Sequence, residues 1–271
     1  MFKAENFGVG WLDLSFPFPC EIHHCVAKRQ PDPGRFSVLT HYTEPRPLKW
    51  PIDQVRQYAG LFDLILTNEE ALLDLPNAQF ALFGGCWIKE APRAKRFELS
   101  FLYSNGVGAE QHFAGYRARR AIWEAREQIT LPKAFYTSSM RPPERVENLA
   151  PYPFDSKTPL FESMFSVIVE NDDQPHYFTE KIVDALRSHT VPLYFGAPNI
   201  GKYFDMEGIL AFQTAEELVQ AANALTPEDY WRRMPAMVRN FQIAEHYLDL
   251  LRNMERYVKE GFRQKGQRLA G

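Results

Sequence analysis

Residues 167–196 read Val-Ile-Val-Glu-Asn-Asp-Asp-Gln-Pro-His-Tyr-Phe-Thr-Glu-Lys-Ile-Val-Asp-Ala-Leu-Arg-Ser-His-Thr-Val-Pro-Leu-Tyr-Phe-Gly. An apolar strand is expected to end at Glu170-Asn171, and after a polar loop a helix opens at Thr179-Glu180-Lys181. A second apolar run, from Val191 to Phe195, follows that helix. This order predicts an open α/β sheet, in which ligands bind outside the carboxyl ends of the strands.

Lys181 is the unusual residue of this run, because it places a cation at the positive end of a helix dipole. Thr179 is a suitable N-cap, and Glu180 suits the same dipole. A lysine is favourable there when a dense anion, such as a diphosphate, is bound by the helix amides and the ammonium together. The alternative is a solvent-facing lysine on an ordinary helix.

A longer pattern of mixed chemistry extends from residue 170 to residue 204. It consists of Glu170-Asn171, Tyr177, Thr179-Glu180-Lys181, Asp184-Ala185, Val191-Pro192-Leu193-Tyr194-Phe195-Gly196 and Ala197-Pro198-Asn199-Ile200. The pattern resembles the donor-binding signature of the α1,3/1,4-fucosyltransferases, glycosyltransferase family 10. A looser match lies upstream, where the stretch from Phe97 to Asn105 precedes a helix that carries Arg117 and Arg119.

The resemblance implies a fold, a reaction and a donor. The fold would be α/β and GT-B-like, with two Rossmann-like halves, an abbreviated N-terminal half and a C-terminal helical tail. The nucleotide would bind to the C-terminal half, and the catalytic base would come from the N-terminal half. The reaction would be an inverting transfer of fucose, or a related sugar, from a GDP-sugar to a hydroxyl of a glycan acceptor. The chain would be a short, bacterial- or phage-type member of the family.

The same resemblance assigns the donor-binding residues. Arg119 and Lys181 would neutralise the departing diphosphate without a metal, and Glu180 would accept hydrogen bonds from ribose or sugar hydroxyls. The remaining donor-pocket positions are Asn105, Asn171 and Tyr177.

Each of these assignments has a plainer alternative. Arg119 can be a surface arginine, and Arg117, on another face of the helix, competes for the same role. Glu180 can be an ordinary first-turn glutamate that is stabilised by the helix dipole, and Asn171 can cap the loop.

Glu44 is the candidate catalytic base. It follows a predicted buried strand, Phe36 to Tyr42, and precedes Pro45, so it would project from the carboxyl end of that strand. It also resembles the family's catalytic glutamate, which follows a strand in the same order along the chain. A general base of this kind typically contributes about 10²–10⁴-fold to the rate. The alternative is a solvent-exposed glutamate in a loop.

Composition narrows the classes of function. The chain has 271 residues, 45% of them apolar, and a formal net charge of −3, which gives no sign of nucleic-acid binding. No apolar run approaches the ~20 residues that span a membrane, and the start of the chain does not resemble a secretion signal. Three cysteines are too few for a disulfide framework. We therefore expect a cytoplasmic protein, which can lie against the inner face of the membrane.

Two short motifs invite metal-binding hypotheses. Cys20-Glu-Ile-His23-His24-Cys25 offers zinc ligands, but no second Cys/His pair follows at finger spacing, so a partly buried loop is favoured. Asp172-Asp173 offers a carboxylate pair like the Mn²⁺ site of the other glycosyltransferase architecture, but its spacing is wrong. The sequence thus predicts no metal and no cofactor, with the GDP-sugar as donor substrate.

The chain is expected to divide into three parts: an acceptor-side α/β domain over 1–93, a nucleotide-sugar domain over 94–226, and C-terminal helices over 227–271. Residues 1–35, rich in proline, are expected to be irregular. Asn68 is expected to cap a helix that runs to Leu75, and Pro235 is expected to kink or break a helix.

The C-terminal tail is basic, and its cations are Arg252, Arg256, Lys259, Arg263, Lys265 and Arg268. This face can be an ordinary solvated face. Alternatively it contacts an anionic membrane or a lipid-linked acceptor.

Two other functions compete with sugar transfer. One is a non-catalytic nucleotide-sugar or glycan-binding protein, derived from such an enzyme by loss of the base. The other is a Rossmann-type oxidoreductase, which is disfavoured because Gly106-x-Gly108 lacks the third glycine of the dinucleotide fingerprint.

Overall fold

The computed structural model describes residues 1–7, 12–104, 109–138, 153 and 156–270, with side chains as far as residue 267. Contacts among the residues divide the chain into two compact units. The first unit comprises Met1–Phe83, Gln174–Tyr177 and Asp249–Gly271, and the second comprises Gly84–Asp173 and Phe178–Leu248. The domain boundaries expected near residues 93 and 226 stay a prediction.

The strands are short, and most are separated by helices or turns. They are β1 (Phe2–Lys3), β2 (Glu5–Phe7), β3 (Ser15–Phe16), β4 (Cys20–His24), β5 (Phe36–His41), β6 (Leu64–Thr67), β7 (Ala78–Phe80), β8 (Arg96–Tyr103), β9 (Lys133–Thr137), β10 (Ser163–Val169), β11 (Val191–Phe195) and β12 (Leu210–Ala211). The α-helices are α1 (Ile52–Tyr58), α2 (Ala114–Ala125), α3 (Glu180–Arg187), α4 (Ala215–Asn223), α5 (Pro227–Ala244) and α6 (Leu250–Ala270).

Five parallel strands form the main sheet of the first unit, in the order β2-β4-β5-β6-β7. Successive residues of a strand point to opposite faces, so the buried strands supply apolar side chains to two separate cores. The residues of these cores include Leu39, Val55 and Ile65 on the side of α1, and Val38, Leu64, Met254 and Val258 on the side of α6. Helix α6 therefore covers one face of this sheet.

A second parallel sheet of five strands forms the second unit, in the order β12-β11-β10-β8-β9. Counted along the chain within this sheet, the order is 2-1-3-4-5, so the direction of strand addition reverses between β8 and β10. Helix α2 lies beside α4, and α3 beside α5. A parallel sheet built by strand–helix–strand crossings in each unit confirms the predicted α/β, Rossmann-like architecture.

The N-terminal part of the chain differs from its prediction. The described residues 1–7 and 12–35 are not wholly irregular, because β2 and β4 pair in parallel within the main sheet. The Cys20–Cys25 motif is not a loop, since β4 is buried along its whole length. The strand was not predicted because it contains polar residues. One of them, Glu21, is fully buried, and its carboxylate accepts hydrogen bonds from the Arg29 guanidinium at 2.9 Å and the Asp32 amide at 2.8 Å.

One predicted helix is wrong, and so is the predicted break in another. The helix expected from Asn68 to Leu75 is only a short 3₁₀ turn over Glu70–Leu72, because the Asn68 side chain bonds to Lys49 and to the His176 carbonyl instead of capping a helix. Helix α5 also continues through Pro235 rather than ending there. The helix starts from a capping box and is buried on both sides of the proline, which offsets the lost hydrogen bond.

Within the described residues, no helix is both long enough and apolar enough to cross a bilayer. The basic tail residues lie on α6, whose apolar side packs in the first unit. Several of them are ion-paired, as in Arg256–Glu260 at 3.3 Å and Lys265–Asp63 at 2.5 Å. Membrane contact by this tail stays a prediction.

Candidate functional site

The candidate donor site lies in the second unit, at the point where the strand order reverses. Strands β8 and β10 are neighbours there, and the chain leaves β10 at Glu170 and Asn171. Ligands of open α/β sheets bind outside the carboxyl ends of the strands at such a reversal. The topology therefore points to the same residues as the sequence signature.

Glu170 organises the start of α3. Its carboxylate is fully buried and accepts hydrogen bonds from the Thr179 amide at 3.0 Å and from the Thr179 hydroxyl at 2.6 Å. Thr179 in turn caps the helix, with its hydroxyl oxygen 3.5 Å from the Lys181 amide. The end of β10 and the first turn of α3 are thus joined by a buried charge with specific partners.

Lys181 is not the ordinary surface lysine of the plainer alternative. Its side chain is 24% exposed, and the ammonium lies 3.5 Å from Glu170 and 3.4 Å from Glu180 and donates to the Thr179 hydroxyl at 2.8 Å. Burial by itself lowers the pKa of Lys181, but Glu180 and Glu170 outweigh this effect and the pKa is raised. These two carboxylates stabilise a cation in the first turn of α3 without any bound anion.

Glu180 is held between two lysines. Its carboxylate lies 3.4 Å from the Lys181 ammonium and 3.6 Å from that of Lys157. Burial alone raises the pKa of Glu180, but the two positive charges prevail and lower the pKa to about 2. Glu180 is therefore ionised at neutral pH, and an ionised carboxylate is an acceptor for sugar hydroxyls.

Lys157 was not predicted as a site residue, because in the sequence it is one lysine in a proline-rich stretch. Its ammonium bridges Glu180 and the fully buried Asp184, which is 3.5 Å away, and lies 4.1 Å from the centre of the Trp87 ring. Asp184 also accepts a hydrogen bond from the Trp87 amide at 2.6 Å. Glu180 and Asp184 are four residues apart, so their carboxylates lie on one helix face. Two like charges on one face indicate a cation between them, and this spacing was the signal for Lys157 in the sequence.

Arg119 is buried, with 4% of its surface exposed, so the surface-arginine alternative is wrong. Its guanidinium donates to the Val169 carbonyl at 2.5 Å and to the Asn171 side-chain oxygen at 2.9 Å. Arg117, the competing residue, is exposed and donates to the Glu110 carbonyl. The structure thus joins two predicted donor-site residues, Arg119 and Asn171, at the end of β10.

Gly115 brings α2 against the same segment. A Cβ atom at this position would overlap the Glu170 carbonyl oxygen, and the Gly115 amide donates to the Asn171 carbonyl at 3.1 Å. The Asp172 carboxylate lies 3.4 Å from the Ala114 amide, at the start of the same helix. Asp172 is therefore engaged in fastening α2 to the loop after β10, and a glycine in the first turn of α2 was the sequence signal for this close approach.

The remaining predicted site residues are Glu44, Tyr177 and Asn105. Glu44 and Tyr177 belong to the first unit. The Glu44 side chain is 34% exposed, and its carboxylate lies 3.8 Å from the His24 imidazole. Tyr177 is buried, and its amide donates to the Gln174 carbonyl at 3.3 Å. Asn105 lies outside the described residues.

Comparison with known proteins gives one sequence relative and several similar structures. No family model matches the chain. The α-(1,3)-fucosyltransferase FucT of Helicobacter pylori is 44% identical over 46 residues, which are 17% of this chain. The match spans only 10% of that protein's length.

The structural matches are more extensive. A crystal structure of an α1,3-fucosyltransferase has a TM-score of 0.52 at 16% identity, and the match covers 84% of this chain and 80% of that one. A crystal structure of α1,3-fucosyltransferase with GDP-fucose has a TM-score of 0.51 at 17% identity, covering 85% and 80%. The chain therefore has the GT-B-like fold of the α1,3-fucosyltransferases, and the resemblance first seen in its signature is confirmed.

Proposed function

We propose that the protein is an inverting glycosyltransferase that moves fucose, or a closely related sugar, from a GDP-sugar to a hydroxyl of a glycan acceptor. The supporting observation is the cluster of Arg119, Asn171, Glu180 and Lys181 around Glu170, at the strand reversal of the second unit. The local identity to FucT supports the choice of fucose over other sugars.

The diphosphate of the donor is assigned to the first turn of α3. The Lys181 ammonium and the helix amides offer positive charge there, and the Arg119 charge acts on Lys181, where it opposes the rise of the lysine pKa. A bound diphosphate would compete with Glu170 and Glu180 for the Lys181 ammonium. Stabilising the departing GDP in this way supplies the electrostatic contribution that usually dominates such a step.

The transfer itself is a single displacement. The acceptor hydroxyl oxygen forms a bond to the anomeric carbon while the bond from that carbon to the β-phosphate oxygen breaks. GDP leaves with the electron pair of that bond, and the hydroxyl proton passes to a base, which we assign to Glu44. Attack opposite the leaving group inverts the anomeric centre. The cations of the site serve in place of a metal, so a chelator is expected to leave the activity unchanged.

The cytoplasm is the compartment that we propose for this activity. Cys20, Cys25 and Cys86 are free cysteines, which is consistent with a reducing environment.

Thermal unfolding with a panel of nucleotide sugars tests the donor assignment. GDP and GDP-fucose are expected to raise the melting temperature, whereas UDP- and CDP-sugars are not, because only a ligand that binds the folded state stabilises it. Consumption of GDP-fucose is then measured with a panel of glycan acceptors. Tight GDP binding without turnover on any acceptor would favour the non-catalytic binding protein, and stabilisation by UDP-sugars instead would contradict the choice of donor.

A further inference from the structure

His24 and Glu44 emerge from neighbouring strands of the first unit. His24 ends β4, and Glu44 follows β5, the strand paired with it in parallel. The carboxyl ends of parallel strands meet at one edge of the sheet, which brings the His24 Nε2 to 3.8 Å from the Glu44 Oε1. The imidazole is only 7% exposed and the glutamate side chain 34%, so the ring lies beneath the carboxylate.

Two threonine hydroxyls also fix the imidazole in place. Its Nδ1 lies 3.2 Å from the Thr43 hydroxyl oxygen and 3.3 Å from that of Thr40, and the Thr43 oxygen is also 3.4 Å from Nε2. Thr43 also contacts the Cys25 sulfur at 3.5 Å, and the Cys25 amide donates to the Thr40 carbonyl at 3.0 Å. A ring fixed in this way has little freedom to move. It can therefore hold the more exposed Glu44 carboxylate in one orientation.

The surroundings of His24 favour its charged form. Burial alone lowers the His24 pKa, but the interactions of the ring with Cys25 and Glu44 outweigh it and raise the pKa to about 9. Cys25 and Glu44 are two titratable groups that act on the ring. The next cation, Lys49, acts on Cys25 and is itself paired with Glu69 at 3.2 Å. At neutral pH the ring therefore presents a positive charge to Glu44.

We propose that His24 is a positioning residue for Glu44, whose carboxylate it holds in the orientation from which it accepts a proton. The inference rests on the proposed function, in which Glu44 is the base. His24 acts by pairing with Glu44, and this pairing is lost when the imidazole loses its proton.

The first test is an NMR titration of the His24 ring in the wild type and in Glu44→Gln. In the wild type the ring is expected to titrate near pH 9. Loss of the carboxylate is expected to move the midpoint down by at least about one pH unit, since an opposite charge within 4–6 Å typically shifts a pKa by 1–3 units. An unchanged midpoint in Glu44→Gln would overturn the pairing. This measurement needs no donor or acceptor, so it distinguishes a failed pairing from a failed proposed function.

The second test is the pH profile of sugar transfer. The wild-type rate is expected to fall as the pH rises through about 9, where His24 loses its charge. His24→Gln cannot carry this charge, so its rate should be lower by about tenfold or more at neutral pH and show no fall near pH 9. Its GDP affinity should be unchanged. The exposed His112→Gln is the control and should retain the wild-type profile.

The two tests also separate positioning from a structural role. If His24 only supported the fold, His24→Gln would unfold more easily yet keep a profile that falls near pH 9, and that result would overturn the proposal. Should His24→Gln fail to fold, the titration in Glu44→Gln still decides, because the residue changed there is partly exposed.

Discussion

The Lys181 ammonium lies 3.5 Å from the fully buried carboxylate of Glu170, which in turn binds the backbone and the side chain of Thr179. One buried anion thus fixes the cap of α3 and the cation in its first turn. The protein's own groups thus position a charge at the start of α3. Such preorganisation is what a site requires if it is to bind a diphosphate without a large ordering cost.

Replacing Arg119 with lysine tests the role of the buried guanidinium. Arg119→Lys should weaken GDP binding by about tenfold or more, because a charge-assisted hydrogen bond is worth about 1.5–3 kcal/mol and a lysine cannot reproduce the planar donor geometry. Arg117→Lys, two residues away and exposed, is the matched control and should bind GDP like the wild type. The affinities are measured by calorimetry. Equal losses in both variants would contradict the assignment of Arg119.

Gly115→Ala tests the close approach of α2 to the segment after β10. The added methyl group overlaps the Glu170 carbonyl, so we expect a loss of about 2 kcal/mol in the free energy of unfolding, together with weaker GDP binding. Gly266→Ala is the control, since nothing lies near its Cβ position in α6, and it should be neutral or slightly stabilising. Denaturant unfolding measures both. A stable Gly115→Ala with wild-type affinity would show that this approach is unimportant.

The Glu180 carboxylate should make stability depend on pH in acid. Its pKa is about 2 in the folded protein and near its ordinary value of 4.5 in the unfolded chain. The contribution of its charge is therefore complete above about pH 4.5 and lost as the pH falls toward 2. The difference in unfolding free energy between wild type and Glu180→Gln should shrink over that range. A difference that stays constant down to pH 2 would contradict the pairing with Lys157 and Lys181.

Glu44→Gln tests the base. The variant should lose sugar transfer by about 10²-fold or more, because a positioned base typically contributes that much, while its GDP affinity stays unchanged. Glu255→Gln is a matched control, since Glu255 lies in the same unit, is also 34% exposed and is paired with Lys259. Rates with excess acceptor and GDP affinities are compared. Transfer at the wild-type rate in Glu44→Gln would remove this residue from the mechanism.

The parts of the fold that follow simple periodicity could be predicted from the sequence. The strands at Phe36, Phe97 and Val191 are rich in apolar residues, and the helix after Thr214 opens with a capping residue, so their positions follow from local chemistry. Strand β4 could not be recognised in this way. It buries Glu21, His23 and His24, and that burial is favourable because of polar partners that its periodicity does not reveal, such as Arg29 for Glu21.

The donor site could be predicted only in part, because some of its contacts are local in sequence and others are not. Glu180 and Lys181 are adjacent in a recognisable motif, so their pairing is local. The partners that make them more than surface charges come from elsewhere: Lys157 lies more than 20 residues upstream, and Arg119 is on another helix. A cation at this helix start was taken as a sign of a bound anion, but Glu170 and Glu180 by themselves account for the position of Lys181.

GDP binding by Lys181→Met, with guanosine as the reference ligand that lacks phosphate, tests the central claim most directly. If the diphosphate docks at the start of α3, the variant should bind GDP at least about tenfold more weakly and guanosine as tightly as the wild type. The exposed Lys202→Met should bind both ligands like the wild type. Unchanged GDP affinity in a folded Lys181→Met would place the diphosphate elsewhere and contradict the account.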